Sequence, residues 1–136
     1  MGEFGIFVKS FVVYKRKVLT IQRSNYNGFG NGEWDIPGGG LQFGESPLEC
    51  LEREIREEAG LTVCIDRLLY ALSVINPTRQ NVGLFYLGYS DSDNVTLSHE
   101  HSHYLWATKK ELVELMSKSV FEDYVKNSVF EILDID

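Results

Sequence analysis

The chain has 136 residues, 43% of them hydrophobic, and a formal net charge of −7. This length predicts one domain over residues 1–136, with too much hydrophobic sequence for a disordered chain. The negative net charge argues against a protein that binds nucleic-acid polymers through a basic surface. It does not argue against a protein that binds nucleotides, because a bound cation can supply positive charge. The sequence has no apolar run of about 20 residues and no basic leader, so a cytoplasmic protein with no membrane contact and two reduced cysteines is expected.

The first third of the chain predicts strands and loops. Residues 4–14 and 18–22 are rich in β-branched and aromatic residues and predict two strands joined by a turn. Residues 24–33 contain three glycines and three asparagines and predict a loop. Residues 34–37 predict a short strand that leads into three glycines, Gly38 to Gly40.

Residues 46–59 predict a helix with signals at both ends. Ser46 suits the N-cap, Pro47 the first helical position, and Glu49 the third position of a capping box. Gly60 suits the left-handed residue after the helix. With about 100° per residue, one arc of this helix is apolar and is expected to face the sheet; it consists of Leu48, Leu51, Ile55 and Ala59.

The rest of the chain predicts strands over 61–74, 82–88 and 104–107. It also predicts a helix over 108–116, capped by Thr108 and Glu111, and a last helix over 121–133. Strands and helices mix without strict alternation, so the predicted fold class is α/β, with a mixed sheet packed by helices.

Three glutamates, Glu54, Glu57 and Glu58, share a second arc of the first helix. Like charges three or four residues apart repel each other, so helix stability alone does not favour this arrangement. The arc is either a solvated acidic face or a site for a hard divalent cation, which prefers oxygen ligands. Likewise, Gly38 to Gly40 form either a tight turn or a backbone that a ligand can approach closely.

These residues together resemble the Nudix box. The pattern is Gly39, five residues, Glu45, seven residues, Arg53-Glu54-Ile55, one residue, Glu57-Glu58, one residue, Gly60-Leu61. Average residue usage gives this match less than about once in 10⁸ positions. The resemblance implies a Nudix-type α/β/α sandwich with a mixed central sheet. It also implies Mg²⁺, or Mn²⁺, as cofactor, and cleavage of a pyrophosphate bond in a nucleoside diphosphate joined to another group.

The resemblance also implies site residues. Glu54, Glu57 and Glu58 would bind the metal together with the Gly38 carbonyl, and Gly39 would lie beside the substrate. Arg53 and Glu45 would hold the loop and the helix together, or else form a surface pair.

Two residues are candidates for the general base. Glu54 is the first. Glu100 is the second, because it lies six residues before Trp106, as an acidic residue does in MutT-type members; a plain loop glutamate is the alternative. Glu100 belongs to the run Ser-His-Glu-His-Ser-His. If this run is a strand, its three histidines would share one face and could bind a transition metal; they are His99, His101 and His103. If the run is a loop, the histidines are solvated. The loop is the favoured interpretation.

Further residues are candidates for substrate contact. Arg23 ends the second strand and is expected either to bind phosphate, as in some relatives, or to be a surface arginine. The aromatic residues near the predicted cleft are Tyr26, Phe29 and Trp34. They are candidates for stacking on a base, although Trp34 is equally suited to the core.

The resemblance leaves the substrate open. The short chain and the spacing from Glu100 to Trp106 favour a MutT-type nucleoside triphosphate pyrophosphatase. Pro77, sixteen residues after the box, favours an ADP-ribose pyrophosphatase, unless Asn76-Pro77-Thr78 is simply a turn. A non-catalytic nucleotide-binding module is a third possibility, disfavoured because all four box glutamates are present. Both a monomer and a homodimer are compatible with the sequence.

Overall fold

A computed structural model describes residues 2–24 and 32–136. Tyr26 and Phe29, two of the stacking candidates, lie outside the described residues. In chain order the elements are β1 (Glu3–Tyr14), β2 (Lys17–Arg23), β3 (Trp34–Asp35), β4 (Gly38–Gly40), α1 (Pro47–Ala59), β5 (Val63–Ile75), β6 (Arg79–Ser90), β7 (His101–Ala107), α2 (Lys109–Leu115), α3 (Lys118–Lys126) and α4 (Val129–Ile132). Within these ranges no helix combines the length and apolarity needed to cross a bilayer.

The strands form a mixed sheet. Its order is β3-β2-β1-β6-β5, with β4 also paired to β1 and β7 to β2. β1 and β6 run parallel, whereas every other pair of described strands is antiparallel. The predicted α/β class with a mixed sheet is therefore confirmed.

Helices cover both faces of the sheet. Along β1, Val8 and Val12 point to the α1 side, whereas Phe11 and Val13 point to the side of α2, α3 and α4. This alternation is the period of two that a strand imposes on its side chains. The result is two apolar cores with the sheet between them, which is an α/β/α arrangement.

Helix α1 has the predicted ends, and three of the four residues predicted to face the sheet, Leu51, Ile55 and Ala59, are fully buried. Ser46 and Glu49 form the capping box, and Gly60 takes a left-handed conformation with φ of 67°. The prediction for Leu48 is wrong, because its side chain is 45% exposed. Cys50 is fully buried instead; its Sγ lies 3.4 Å from the Gly40 carbonyl oxygen, because the first turns of α1 pack against β4.

The last predicted helix is two helices. Ser117 caps α3, which starts three residues earlier than predicted and ends at Lys126. The Asn127 side chain then donates to the Asp123 carbonyl at 2.8 Å, and Ser128 is left-handed with φ of 58°. A left-handed residue cannot continue a right-handed helix, so the chain turns before α4 and buries Val129 in the core.

Candidate active site

The candidate site is an open cleft of about 490 Å³ between β4, α1 and the turn before β7. Among the described residues, its lining brings together the predicted site residues except Trp34 and Glu45. The lining residues are Arg23, Gly38, Gly39, Gly40, Gln42, Arg53, Glu54, Glu57, Glu58, Ser98, His99, Glu100 and His101.

Backbone hydrogen bonds carry the distant turn at 98–101 to this cleft. The Thr96 N–H donates to the Ala59 carbonyl at 2.9 Å, and the Ser98 N–H donates to the Glu58 carbonyl at 3.2 Å. These bonds satisfy carbonyls at the end of α1, which have no partner within the helix. On the other side, the Ser24 N–H donates to the Glu100 carbonyl at 2.8 Å. The turn is thereby fixed between the ends of α1 and β2.

Arg53 ties the loop after β4 to α1. Its Nε and Nη2 donate to the two carboxylate oxygens of Glu45, at 3.1 and 2.8 Å. Its Nη1 donates to Glu54 Oε1 at 2.9 Å and to Glu57 Oε2 at 3.4 Å. The hydrogen bond from Arg53, followed by one from the Gln42 N–H, lowers the pKa of Glu45 to about 2. The structure thus brings Arg53 and Glu45 together in a bidentate, charge-assisted pair.

The three glutamates of α1 differ strongly in exposure. The side chain of Glu57 is 59% exposed, that of Glu54 18% and that of Glu58 8%. The solvated acidic face, one of the two interpretations from sequence, therefore does not describe Glu58, because the turn at 98–101 covers its side chain. Glu58 Oε1 accepts the Gly38 N–H at 3.4 Å.

Burial, and then the neighbouring Glu54, raise the pKa of Glu58 to about 8, although Lys9 and the Gly38 N–H act in the opposite direction. Burial and a neighbouring carboxyl group both favour the neutral form of Glu58, and added positive charge would favour its ionised form. A divalent cation would supply that charge.

The donor set fits such a cation. Carboxylate oxygens and backbone carbonyls are the ligands that Mg²⁺ prefers, and Glu54, Glu57 and Glu58 face one cleft. Within residues 2–24 and 32–136, no three acidic, histidine or cysteine side chains are already drawn together as a ligand set. Arg53 holds Glu54 and Glu57 instead, so a cation would compete with its guanidinium for these oxygens.

Two glycines let the backbone approach the carboxylates. Gly38 has φ of 153°, and a side chain there would overlap the Val8 carbonyl in β1. At Gly39, a Cβ would lie 2.6 Å from Glu54 Oε2 and 2.7 Å from Oε1. Glycine is therefore required at Gly38 by the backbone of the paired strand, whereas at Gly39 a side chain would displace the Glu54 carboxylate.

A Gly39→Ala substitution is expected to displace the Glu54 carboxylate and to lower turnover by about 10²-fold, since misplacement by about 1 Å has effects of that size. Steady-state kinetics on any hydrolysed nucleotide would measure this. Gly40→Ala is the matched control, because nothing lies within 4 Å of a Cβ at Gly40. Equal losses in both variants would show that the overlap with Glu54 is not the cause.

The structure does not bring Trp34 to the cleft. Its side chain is partly buried and packs against the core on the side of α2, α3 and α4. Its place in the core agrees with the alternative interpretation from sequence. Arg23 and Glu100 do line the cleft. The Ser24 N–H, next to Arg23 in the chain, donates to the Glu100 carbonyl.

Two residues, His101 and Lys9, affect Glu58 but were not assigned this position from the sequence. His101 was expected to be solvated, but β7 starts at this residue and its side chain is only 5% exposed. Burial, and then the charge of Arg23, lower the pKa of His101. Lys9, in β1, is paired with Gly38 in the neighbouring strand β4. Its ammonium forms an ion pair with Asp35 at 2.9 Å. A lysine within an otherwise apolar strand was the available signal for Lys9.

Comparisons with known proteins show which family the chain belongs to. The sequence profile of the NUDIX domain matches residues 8–126. A MutT-like protein of Streptomyces ambofaciens is 31% identical over 75% of this chain and 62% of its own length. Nucleoside triphosphatase NudI of an Enterobacter species is 28% identical over 69% of this chain and 74% of its own length. The chain thus spans less than two thirds of the first of these relatives.

The fold is also similar to that of a solved structure. The crystal structure of a MutT protein from Methanosarcina mazei superposes with a TM-score of 0.82 and 22% identity, covering 96% of this chain and 97% of that one. The sequence match spans most of the chain, and five residues of the box, Gly39, Arg53, Glu54, Glu57 and Glu58, line one cleft. The chain belongs to the Nudix hydrolase family.

Proposed function

We propose that the protein hydrolyses a pyrophosphate bond in a nucleoside diphosphate joined to another group, with Mg²⁺ as cofactor and Mn²⁺ as a substitute. The observation that carries this proposal is the meeting of Glu54, Glu57 and Glu58 with Glu100 in one cleft. Glu100 is separated from the box by about forty residues of chain, and nothing in helix formation requires it to face α1.

The proposed mechanism assigns a task to each residue. A divalent cation, when bound, neutralises the diphosphate and lowers the pKa of a coordinated water. Glu57, Glu58 and the Gly38 carbonyl would hold that cation. Glu54 would take a proton from the attacking water, as a general base must lie within hydrogen-bond reach of it.

Arg53 and Arg23 would supply positive charge on either side of this chemistry. Arg53 Nη1 holds Glu54 Oε1 at 2.9 Å, which fixes the orientation of the proposed base. Arg23, at the end of β2, lines the cleft, and its guanidinium would bind a phosphate oxygen. Glu100 is the alternative base.

Nucleoside triphosphates are the favoured substrates. Two relatives, a MutT-like protein and a nucleoside triphosphatase, support this choice. The feature that favoured ADP-ribose has a local explanation, because Asn76 accepts the Thr78 and Arg79 N–H groups at 3.1 and 2.8 Å and so forms the turn between β5 and β6. Pro77 lies in this turn and is not part of the cleft lining.

A substrate panel tests the proposal. The protein is incubated with Mg²⁺ and each nucleoside triphosphate, deoxynucleoside triphosphate or ADP-ribose, and phosphate is measured with and without added inorganic pyrophosphatase. Triphosphates are expected to give a phosphate signal that depends on pyrophosphatase, because the product is pyrophosphate. ADP-ribose products give a signal only after alkaline phosphatase. Folded, metal-supplied protein that cleaves no member of the panel would favour the non-catalytic nucleotide-binding module.

The remaining expectations are proposals of the same kind. One of them is a single domain over residues 1–136. Another is a cytoplasmic location, with which the two free thiols of the described chain, Cys50 and Cys64, are consistent. The proposal extends to either a monomer or a homodimer.

A further inference from the structure

His101 is a buried imidazole whose two nitrogens have unequal surroundings. Its Nε2 lies 3.9 Å from Glu58 Oε2. Its Nδ1 is buried and has no hydrogen-bond partner among the described residues. Buried polar atoms in folded proteins are normally hydrogen-bonded, so this arrangement needs an explanation.

The backbone places His101 over Glu58 from two directions. The Ser98 N–H is bonded to the Glu58 carbonyl, and the His101 N–H donates to the Ser98 carbonyl at 3.2 Å, which closes the turn. On the other side, His101 pairs with Arg23 at a point where the register of β2 and β7 shifts. Such an irregularity reorients a side chain at the end of a strand.

Glu58 needs a donor at the oxygen that His101 approaches. Its Oε1 already accepts the Gly38 N–H, and its Oε2 faces the His101 Nε2 across 3.9 Å, which is beyond hydrogen-bond distance. An ionised carboxylate in a buried position is costly unless both oxygens are satisfied. A movement of about 1 Å would bring the imidazole N–H into hydrogen-bond range of Oε2.

We propose that His101 is a positioning residue of the metal site, whose Nε2–H donates to Glu58 Oε2 and holds that carboxylate toward the cleft when a divalent cation is bound. The inference rests on the part of the proposed function that makes Glu58 a metal ligand. His101 itself contacts neither metal nor substrate in this role. Groups that orient ligands in this way contribute about 10–100-fold to metal affinity.

The test measures Mn²⁺ affinity without substrate, from the electron paramagnetic resonance signal of free Mn²⁺. His101→Leu removes the donor at similar volume and is expected to weaken binding by about 10–100-fold. His101→Gln should bind nearly as well as the native protein, because its amide nitrogen occupies the place of Nε2. His103→Leu is the matched control, since His103 is exposed on the same strand and contacts Ser102.

A double-mutant cycle separates positioning from other roles. In a Glu58→Gln background, His101→Leu should weaken Mn²⁺ binding no further, because the carboxylate it acts through is gone. Native affinity in a folded His101→Leu variant, or an equal loss in both backgrounds, would overturn the proposal. So would nitrogen coupling from His101 in the spectrum of bound Mn²⁺, which would make it a direct ligand.

Two further outcomes keep the test independent of folding and of activity. If His101→Leu does not fold, His101→Asn replaces it. The shorter amide of asparagine places its nitrogen near the position of Nδ1. A Mn²⁺ affinity equal to that of His101→Gln would therefore contradict the role assigned to Nε2. Tight Mn²⁺ binding that depends on both Glu58 and His101, without hydrolysis of any nucleotide, would support the inference while the proposed reaction fails.

Discussion

Glu58→Gln is expected to abolish most turnover and yet to stabilise the metal-free protein at about pH 8. Loss of activity should exceed about 10²-fold, because even residues that only orient a metal ligand contribute about 10–100-fold. The gain in stability follows from burial, which raises the pKa of this carboxyl from 4.5 to about 8.

The direction of the pH dependence follows from proton binding. With its pKa raised in the folded state, Glu58 favours folding fully below about pH 4.5, and this contribution is lost as pH rises toward about 8. The native protein should therefore lose stability over that interval, whereas Glu58→Gln lacks this loss. The difference is at most a few kcal/mol, since one pKa unit corresponds to about 1.4 kcal/mol.

Urea denaturation in the presence of EDTA at several pH values would measure this difference. Glu57→Gln is the matched control: it removes the same charge from the same helix, but its side chain is 59% exposed, so no stabilisation that grows with pH is expected. A Glu58→Gln variant whose stability parallels the native protein across this range would show that Glu58 is not held neutral by burial. Unchanged turnover in both variants would remove the metal assignment.

Glu54→Gln should lower turnover by about 10²–10⁴-fold, the range for loss of a general base. Glu54 is favoured over Glu100 because Arg53 holds one of its oxygens at 2.9 Å and the Gly39 backbone lies against its carboxylate. Glu100 is exposed on a turn and makes its described hydrogen bond through its backbone carbonyl.

The pH–rate profile distinguishes the two candidates. Removing the base should flatten the acidic limb of turnover, whereas removing a residue that only assists metal binding should raise the metal concentration needed for half-maximal rate. Glu54→Gln and Glu100→Gln measured side by side, at saturating Mg²⁺, give this comparison. A flattened limb in Glu100→Gln alone would transfer the role of base to Glu100.

Local signals account for the parts of the fold that were predicted well. Helix α1 starts and ends where its caps indicate, because Ser46, Glu49 and Gly60 act on backbone groups within one turn. The same holds for the start of α2 at Thr108 and Glu111. The last helix was predicted as continuous because its apolar spacing persists through Asn127 and Ser128. Its interruption there allows Val129 to reach the core.

The sequence by itself determined the family, the capped helix and the common arc of Glu54, Glu57 and Glu58, because these depend on residue spacing along one element. Tertiary structure decided that Glu58 is buried, that Glu100 and His101 line the same cleft, and that Trp34 belongs to the core. The physical reason is range: caps act over four residues, whereas the turn at 98–101 reaches α1 through hydrogen bonds between residues forty apart in the chain.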